Sequence, residues 1–156
     1  MSQNRSLVSG RPRVTVAAIV EDQGRFLMVE ERDEQGRRVI NQPAGHVEPG
    51  ETIVEALVRE ALEETAWNVR PLAISGIYLW CKPDLSASFL RVAVVAEAIS
   101  EEEDAVLDEG IERALWMSRE TVIGELSSHR SPLVLRCMED YLAGQRFPLD
   151  LICPMI

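Results

Sequence analysis

The sequence is poor in the residues that mark several classes of protein. Its three cysteines, Cys81, Cys137 and Cys153, are widely separated and form no CxxC pair or Cys/His cluster. This spacing indicates neither a disulfide framework nor a zinc site. Because the chain has only two histidines, His46 and His129, a cysteine nucleophile activated by a neighbouring base is also disfavoured. We therefore expect three ordinary reduced thiols.

Long apolar runs are missing as well. No stretch reaches the roughly 18 residues that a membrane-spanning helix requires. The polar start MSQNRSLVSGRPR is not a secretory signal. These features predict a cytoplasmic protein that does not insert into membranes.

Positive charge is in deficit, with 16 Lys and Arg against 26 Asp and Glu and a formal net charge of −10. Binding to a nucleic-acid backbone is driven mainly by clustered Lys and Arg. We therefore expect no nucleic-acid partner, and an anionic small-molecule substrate would need a metal ion to mediate its binding.

The length and composition fit one globular domain. The 156 residues are 46% apolar, which is enough for a substantial core. Residues 1–12 are polar and predict a flexible N-terminal arm, which leaves 13–156 as a single domain. Strand edges and an apolar tail are compatible with a monomer or a homodimer.

Strand-like and helical patterns alternate along the chain and predict an α/β fold. The acidic segment over residues 101–109 is expected to be a solvated loop. Helices are expected from Thr52 through the following glutamates, over 118–126 with Ser118 as the cap, and from 133 to about 142. Predicted strands cover residues 13–20, 25–30, 39–42, 72–80, 88–98 and 114–117.

The stretch from Gly45 to Trp67, GHVEPGETIVEALVREALEETAW, carries the strongest functional signal. Its apolar residues recur with helical spacing and define a buried face. Glu60, Glu63 and Glu64 fall within an arc of roughly 100° beside that face, since each residue advances the helix by about 100°. Such carboxylates repel one another unless a cation compensates them.

Two interpretations of this arc remain open. Arg59 could neutralise one carboxylate, and Mg²⁺, with Mn²⁺ as a substitute, is a natural partner for the others. Alternatively, the glutamates form only a solvated acidic face. Thr52 and Glu55 have the spacing of a capping box at the start of this helix.

The order of residues in this stretch resembles the box of the Nudix hydrolases. Gly45 is followed at the family's spacing by Glu51, by Arg59 and Glu60, and by Glu63 and Glu64. Ala66 departs from the family pattern, which has glycine there. Five further segments resemble the NudJ group of Nudix phosphatases. These segments cover residues 41–46, 82–84, 89–91, 131–134 and 144–149.

This resemblance implies a fold and an activity. The fold would be an α/β/α sandwich with a mixed β-sheet between helices. The activity would be a Mg²⁺-dependent phosphatase that releases orthophosphate from hydroxymethylpyrimidine pyrophosphate, thiamine pyrophosphate and nucleoside di- and triphosphates. The alternatives are a pyrophosphohydrolase that gives a monophosphate and pyrophosphate, and a non-catalytic ligand-binding domain.

The resemblance also implies roles for particular residues. Glu60, Glu63 and Glu64 would be metal ligands, with Gly45 contributing backbone near the metal, and Glu60 could also be the base. Arg59 would orient a glutamate, and Glu51 would pair with Arg59. One further acid from a loop is expected among Asp108, Glu109 and Glu112.

Substrate contacts are harder to assign from the sequence. His46 adjoins the box glycine and could touch a phosphate, and Arg13 and Arg91 lie on predicted strands that could face the cleft. For each of them a purely structural role is the alternative. Trp67, Tyr78 and Trp80 could stack on a substrate ring or pack in the core.

Overall fold

The computed structural model describes residues 10–156, so the predicted arm over residues 1–12 lies largely outside the described part of the chain. No helix in that part is long and apolar enough to cross a membrane. All three cysteines are free, with Cys137 buried and Cys81 and Cys153 exposed. We propose that residues 13–156 form one domain, because their strands share one sheet.

The described residues form a mixed sheet with helices on both faces. Its main path runs β3-β2-β1-β6-β5, while β4 pairs with β1 and β7 with β2. The strands are β1 (Arg13–Asp22), β2 (Arg25–Arg32), β3 (Arg38–Asn41), β4 (Ala44–His46), β5 (Trp67–Cys81), β6 (Ser88–Glu101) and β7 (Ile111–Ser118). The helices are α1 (Ile53–Thr65), α2 (Arg119–Gly124) and α3 (Leu133–Leu142), and 3-10 turns cover Leu126–Ser128 and Leu149–Leu151.

Only β1 and β6 pair in parallel; the other described pairs are antiparallel. Because successive strand residues point to opposite faces, the apolar run of β1 serves two cores. Val16 and Val20 pack with Leu57 of α1. Ile19 packs on the other side with Met138 of α3. This arrangement confirms the predicted α/β sandwich with a mixed sheet between helices.

Two strands differ from the prediction. The short β4 was not expected, because Ala44 to His46 lack strand composition; it forms where the edge of β1 is available for pairing. β5 begins at Trp67 rather than at residue 72 and contains Pro71. Proline is tolerated there because β5 is the last strand of the main path and its register shifts beside Pro71.

Both ends of α1 are defined by local chemistry. Thr52 and Glu55 form the predicted capping box, in which each side chain accepts a hydrogen bond from the other residue's backbone N–H. At the other end, Ala66 adopts the left-handed conformation, with φ 64° and ψ 7°. Its backbone N–H donates to the carbonyl of Leu62 at 2.9 Å. The left-handed turn therefore forms although glycine is missing, and Ala66 is strained there.

We predict that Ala66→Gly stabilises the protein. The left-handed conformation costs a non-glycine residue about 1–2 kcal/mol, and the greater freedom of glycine in the unfolded chain offsets about 0.4–1 kcal/mol of this. The melting temperature should rise by roughly 1–4 °C in calorimetry. Gly36→Ala is the matched control, because Gly36 has a φ of +76° and open space around it, and it should lower the melting temperature. A fall in both variants would contradict the strain at Ala66.

Candidate active site

A single arginine organises the carboxylates of α1. Nε and Nη2 of Arg59 donate to the two carboxylate oxygens of Glu51 at 2.7 and 2.9 Å. Nη1 donates to Glu60 at 2.9 Å and to Glu63 at 3.1 Å. Nη2 also donates to the carbonyl of His46 at 3.0 Å, which ties β4 to the helix. The bonds to Glu51, and after them that to Glu60, raise the pKa of Arg59 well above its ordinary value, although burial opposes the shift.

Three carboxylates converge beside this arginine. One oxygen from each of Glu60, Glu63 and Asp108 lies within 4.8 Å of the others. Asp108 comes from the loop between β6 and β7, where its backbone N–H donates to the carbonyl of Glu63 at 2.9 Å. Glu112, another of the three acids expected from a loop, instead accepts a hydrogen bond from Nε of Arg32 at 2.6 Å, so the loop acid at the cluster is Asp108.

Glu64, the third glutamate of the predicted arc, is buried next to this cluster. Its carboxylate accepts a hydrogen bond from the backbone N–H of Ala44 at 2.9 Å. Burial raises the pKa of Glu64 to about 9, and the negative charges of Glu31, Glu60 and Asp108 act in the same direction. Without a cation, Glu64 is therefore protonated at neutral pH.

The pKa of Glu60 is also raised, chiefly by burial, and Arg59 opposes that shift. The helix thus holds two carboxyl groups whose ionised forms are disfavoured by their surroundings. A divalent cation nearby would favour the ionised forms of both.

The arrangement fits a hard divalent cation such as Mg²⁺ or Mn²⁺. The converging ligand atoms are all carboxylate oxygens, which is the set that these ions prefer. Gly45 leaves the space that the cluster needs, because a Cβ on this residue would lie 2.1 Å from the carboxylate carbon of Glu60. Any other residue at position 45 would displace Glu60.

A cavity of about 1210 Å³ extends from this cluster. Of the expected substrate contacts, His46 and Arg91 line it. Arg13 is exposed, and its guanidinium carbon lies 5.8 Å from the ring centroid of Phe89, which also lines the cavity. The charged or polar lining is therefore drawn from α1, from the sheet and from the segment before α3.

Sequence reasoning missed some of the lining. His129 has no predicted role in the site but lines the cavity, where it is half-buried with Nε2 2.7 Å from the carbonyl of Val122. Thr15 was treated only as part of a core strand, although its side chain is polar and buried. Trp80 lines the cavity, whereas Trp67 packs edge-on against Trp116. A polar residue inside an apolar strand, such as Thr15, was the available signal.

Comparison with known proteins agrees with this geometry. The family model for the NUDIX domain matches residues 10–137. The phosphatases NudJ of Escherichia coli K12 and of Shigella flexneri are each 39% identical to the chain over 142 residues, which is 91% of both proteins. A solved NUDIX hydrolase from Nitrosomonas europaea superposes with a TM-score of 0.90 at 42% identity, covering 92% of this chain and 97% of that one.

The raised pKa of Glu64 predicts how the metal-free protein responds to pH. The unfolded chain ionises this carboxyl near its ordinary value of 4.5, whereas the folded protein keeps it protonated until about pH 9. Between these values the unfolded state binds fewer protons, so stability falls as pH rises, by at most about 1.4 kcal/mol per unit.

In EDTA, the melting temperature should therefore fall by a few degrees between pH 7 and pH 8.5 because of this group. Glu64→Gln keeps an oxygen for the Ala44 N–H and should remove that contribution, so that its melting curve depends less on pH and lies higher at pH 8.5. Glu63→Gln, at a more exposed position, serves as the control and should keep the wild-type slope. An unchanged slope in Glu64→Gln would contradict the account of Glu64.

Proposed function

The chain belongs to the NUDIX family, and we propose that it is a Mg²⁺-dependent phosphatase that releases orthophosphate from pyrophosphorylated small molecules. It is a Nudix hydrolase and a homologue of the NudJ phosphatases, with identity that extends over 91% of both chains. The proposed substrates are hydroxymethylpyrimidine pyrophosphate, thiamine pyrophosphate and nucleoside di- and triphosphates. The proposed place of action is the cytoplasm.

One observation carries this proposal. Oxygens of Glu60, Glu63 and Asp108 lie within 4.8 Å of one another at the wall of a cavity of about 1210 Å³. A divalent cation there would neutralise charge on the phosphoryl oxygens and place the attacking water. The cluster and the cavity together therefore suit hydrolysis of a phosphoanhydride.

We assign the proton transfer to Glu60. In the proposed reaction the oxygen of a water attacks the terminal phosphorus, and the bond from that phosphorus to the bridging oxygen breaks. The attacked phosphorus becomes orthophosphate, and the rest of the substrate departs with the bridging oxygen and its electron pair. The water's proton passes to a carboxylate oxygen of Glu60. Glu60 suits this role because Arg59 holds its carboxylate beside the other converging oxygens.

Other residues of the Gly45–Trp67 stretch hold the carboxylates of Glu60 and Glu63 in place. Arg59 donates to Glu60 and Glu63 and fixes where their oxygens point. Glu51 holds Arg59 through two hydrogen bonds. Glu63, Glu64, Asp108 and the Gly45 backbone complete the proposed surroundings of the metal, and His46 and Arg91 are the proposed substrate contacts, with Arg13 at the margin.

Product analysis tests the proposed activity. The purified protein should be incubated with Mg²⁺ and each proposed substrate, with orthophosphate and pyrophosphate assayed separately and with EDTA controls. Orthophosphate that appears only with the metal is the expected product. Pyrophosphate from triphosphates would instead establish cleavage at an internal phosphate, and the absence of any metal-dependent product would overturn both reactions.

We predict that Glu63→Gln lowers turnover at saturating substrate by at least about 100-fold, because it removes a charge from the converging ligand set. The melting temperature should not fall, since the substitution also relieves repulsion within the cluster. Glu139→Gln is the matched control, because Glu139 is exposed on α3, and it should keep normal turnover. Near-normal turnover in Glu63→Gln would show that the carboxylates form only a solvated acidic face of the helix.

A further inference from the structure

The described part of the chain contains three buried side-chain polar atoms without a hydrogen-bond partner. They are Oγ1 of Thr15, Nε of Arg91 and Nδ1 of His129. All three residues line the cavity that extends from the carboxylate cluster. Unpaired buried polar atoms are uncommon in folded proteins. Their coincidence in one cavity indicates a polar ligand that would pair with them.

Arg91 is the most unusual of the three. Its side chain is buried, with only 7% of the residue exposed. Its guanidinium reaches the amide oxygens of Asn41 and Gln42 only at 3.4–3.5 Å. An ordinary N–H···O bond is about 2.9–3.0 Å long, so these contacts are weak. The neighbouring thiol of Cys137 stays neutral, because burial raises its pKa to about 11.

The other Lys and Arg residues of the cavity wall are all paired. Each has a carboxylate oxygen within 4.0 Å, whereas the ion pairs found within residues 10–156 include none for Arg91. The paired residues are Arg37, Arg38, Arg59, Lys82 and Arg130. A buried charge without a partner is costly. Arg91 therefore costs the folded protein stability unless a ligand pairs with it.

Strand register places the unpaired groups beside aromatic rings. Thr15 on β1 is paired with His46 on β4 and with Arg91 on β6, so these residues form one row across three strands. In the next row on the same face, Phe89 is paired with Trp80. Two residues along a strand span roughly 6.6 Å, so the two rows form one surface.

The aromatic pair is ordered and accessible from the cavity. The rings of Trp80 and Phe89 stack with centroids 5.8 Å apart and an interplanar angle of 22°. Both residues line the cavity and are half-buried. A planar ring that contacts this pair would lie within one row of the Arg91 guanidinium.

The hydrogen-bonding character of the unpaired atoms selects among ligands. A carbonyl only accepts hydrogen bonds, so Nε2 of His129 must donate to the Val122 carbonyl, and in this tautomer Nδ1 carries a lone pair. Nε of Arg91 is a donor, and the hydroxyl of Thr15 can do either. A phosphate group offers acceptors and leaves Nδ1 of His129 unpaired. A nitrogen heterocycle carries both donors and acceptors, so its polar edge suits this mixed set of unpaired atoms.

The row and the carboxylates belong to one cavity. Thr15, Arg91 and His129 line it together with Glu60, Glu63 and Asp108. A substrate that fills this cavity can therefore contact both the carboxylate cluster and the row.

We propose that Arg91, Thr15 and His129, with the ring pair of Trp80 and Phe89, form a subsite for a nitrogen heterocycle such as a pyrimidine or purine. Arg91 then recognises the ring and not a phosphate group. The subsite rests on the proposed function only in treating this ring as part of the substrate. Binding of the ring itself requires neither a metal nor hydrolysis.

The test is a titration of the ¹⁵N-labelled protein with cytidine in EDTA, followed by NMR. The Nε–H signal of Arg91 and the indole N–H signal of Trp80, each assigned by substitution, should shift together with cytidine. Ribose and inorganic pyrophosphate should leave the Arg91 signal unchanged. Shifts of Arg91 with pyrophosphate but not with cytidine would overturn the proposal in favour of an anion site, and no shift with either would overturn it in favour of a structural arginine.

Variants separate binding from folding. Arg91→Met should weaken cytidine binding, read from the Trp80 signal, at least tenfold while the melting temperature stays level or rises, because an unpaired buried charge is removed. Arg91→Lys should also bind cytidine more weakly, and Arg119→Met, at an exposed position on α2, should bind normally. A lower melting temperature with unchanged cytidine binding in Arg91→Met would overturn the proposal. Hydrolysis of the proposed substrates without cytidine binding would overturn only the proposed ring subsite. Cytidine binding without hydrolysis would overturn only the proposed activity.

Discussion

The hydrogen bonds of Arg59 are the constraint on which the site depends. One guanidinium contacts Glu51, Glu60 and Glu63 and the carbonyl of His46, so it fixes helix α1, the preceding loop and β4 relative to one another. Arginine suits this task because its planar fork donates in several directions at once and keeps its charge. Without it, neighbouring carboxylates on α1 would repel and point outward.

Compensation of the negative charge is incomplete without a cation. Arg59 engages Glu51, Glu60 and Glu63, but Glu64 receives only the backbone N–H of Ala44, and its pKa rises to about 9. A divalent ion would compensate this negative charge, and its binding would release the proton of Glu64. Arg91, which lines the same cavity, is likewise a buried charge without a carboxylate partner within the described residues. Binding of the proposed cation and of the proposed ring would offset these two costs in stability.

Local patterns in the sequence predicted the parts of the site that lie within one helix. The spacing of Glu60, Glu63 and Glu64 and the capping residues Thr52 and Glu55 depend only on helical geometry, and the helix forms as expected. Ala66 keeps the left-handed turn although glycine is missing, because its N–H bond to Leu62 and the following strand hold it there. Sequence spacing was sufficient for these features.

The parts of the site that are assembled from distant segments could not be predicted from local sequence patterns. Asp108 reaches the cluster through a backbone bond to Glu63, 45 residues earlier in the chain, and nothing in the acidic segment distinguishes it from Glu112. The row of Thr15 and Arg91 follows from the parallel pairing of β1 with β6, which is a property of the sheet. The short β4 likewise depends on the edge of β1 and not on its own composition.

The central claim is that Glu60, Glu63 and Asp108 together hold a divalent cation. Titration with Mn²⁺, followed by electron paramagnetic resonance of the free ion, measures this binding directly in the wild type and in Asp108→Asn, with Glu112→Gln as the control. The account predicts one tight site in the wild type, binding at least about 10-fold weaker in Asp108→Asn, and wild-type binding in Glu112→Gln. Equal Mn²⁺ affinity in the wild type and Asp108→Asn, or weakened binding in Glu112→Gln alone, would contradict it.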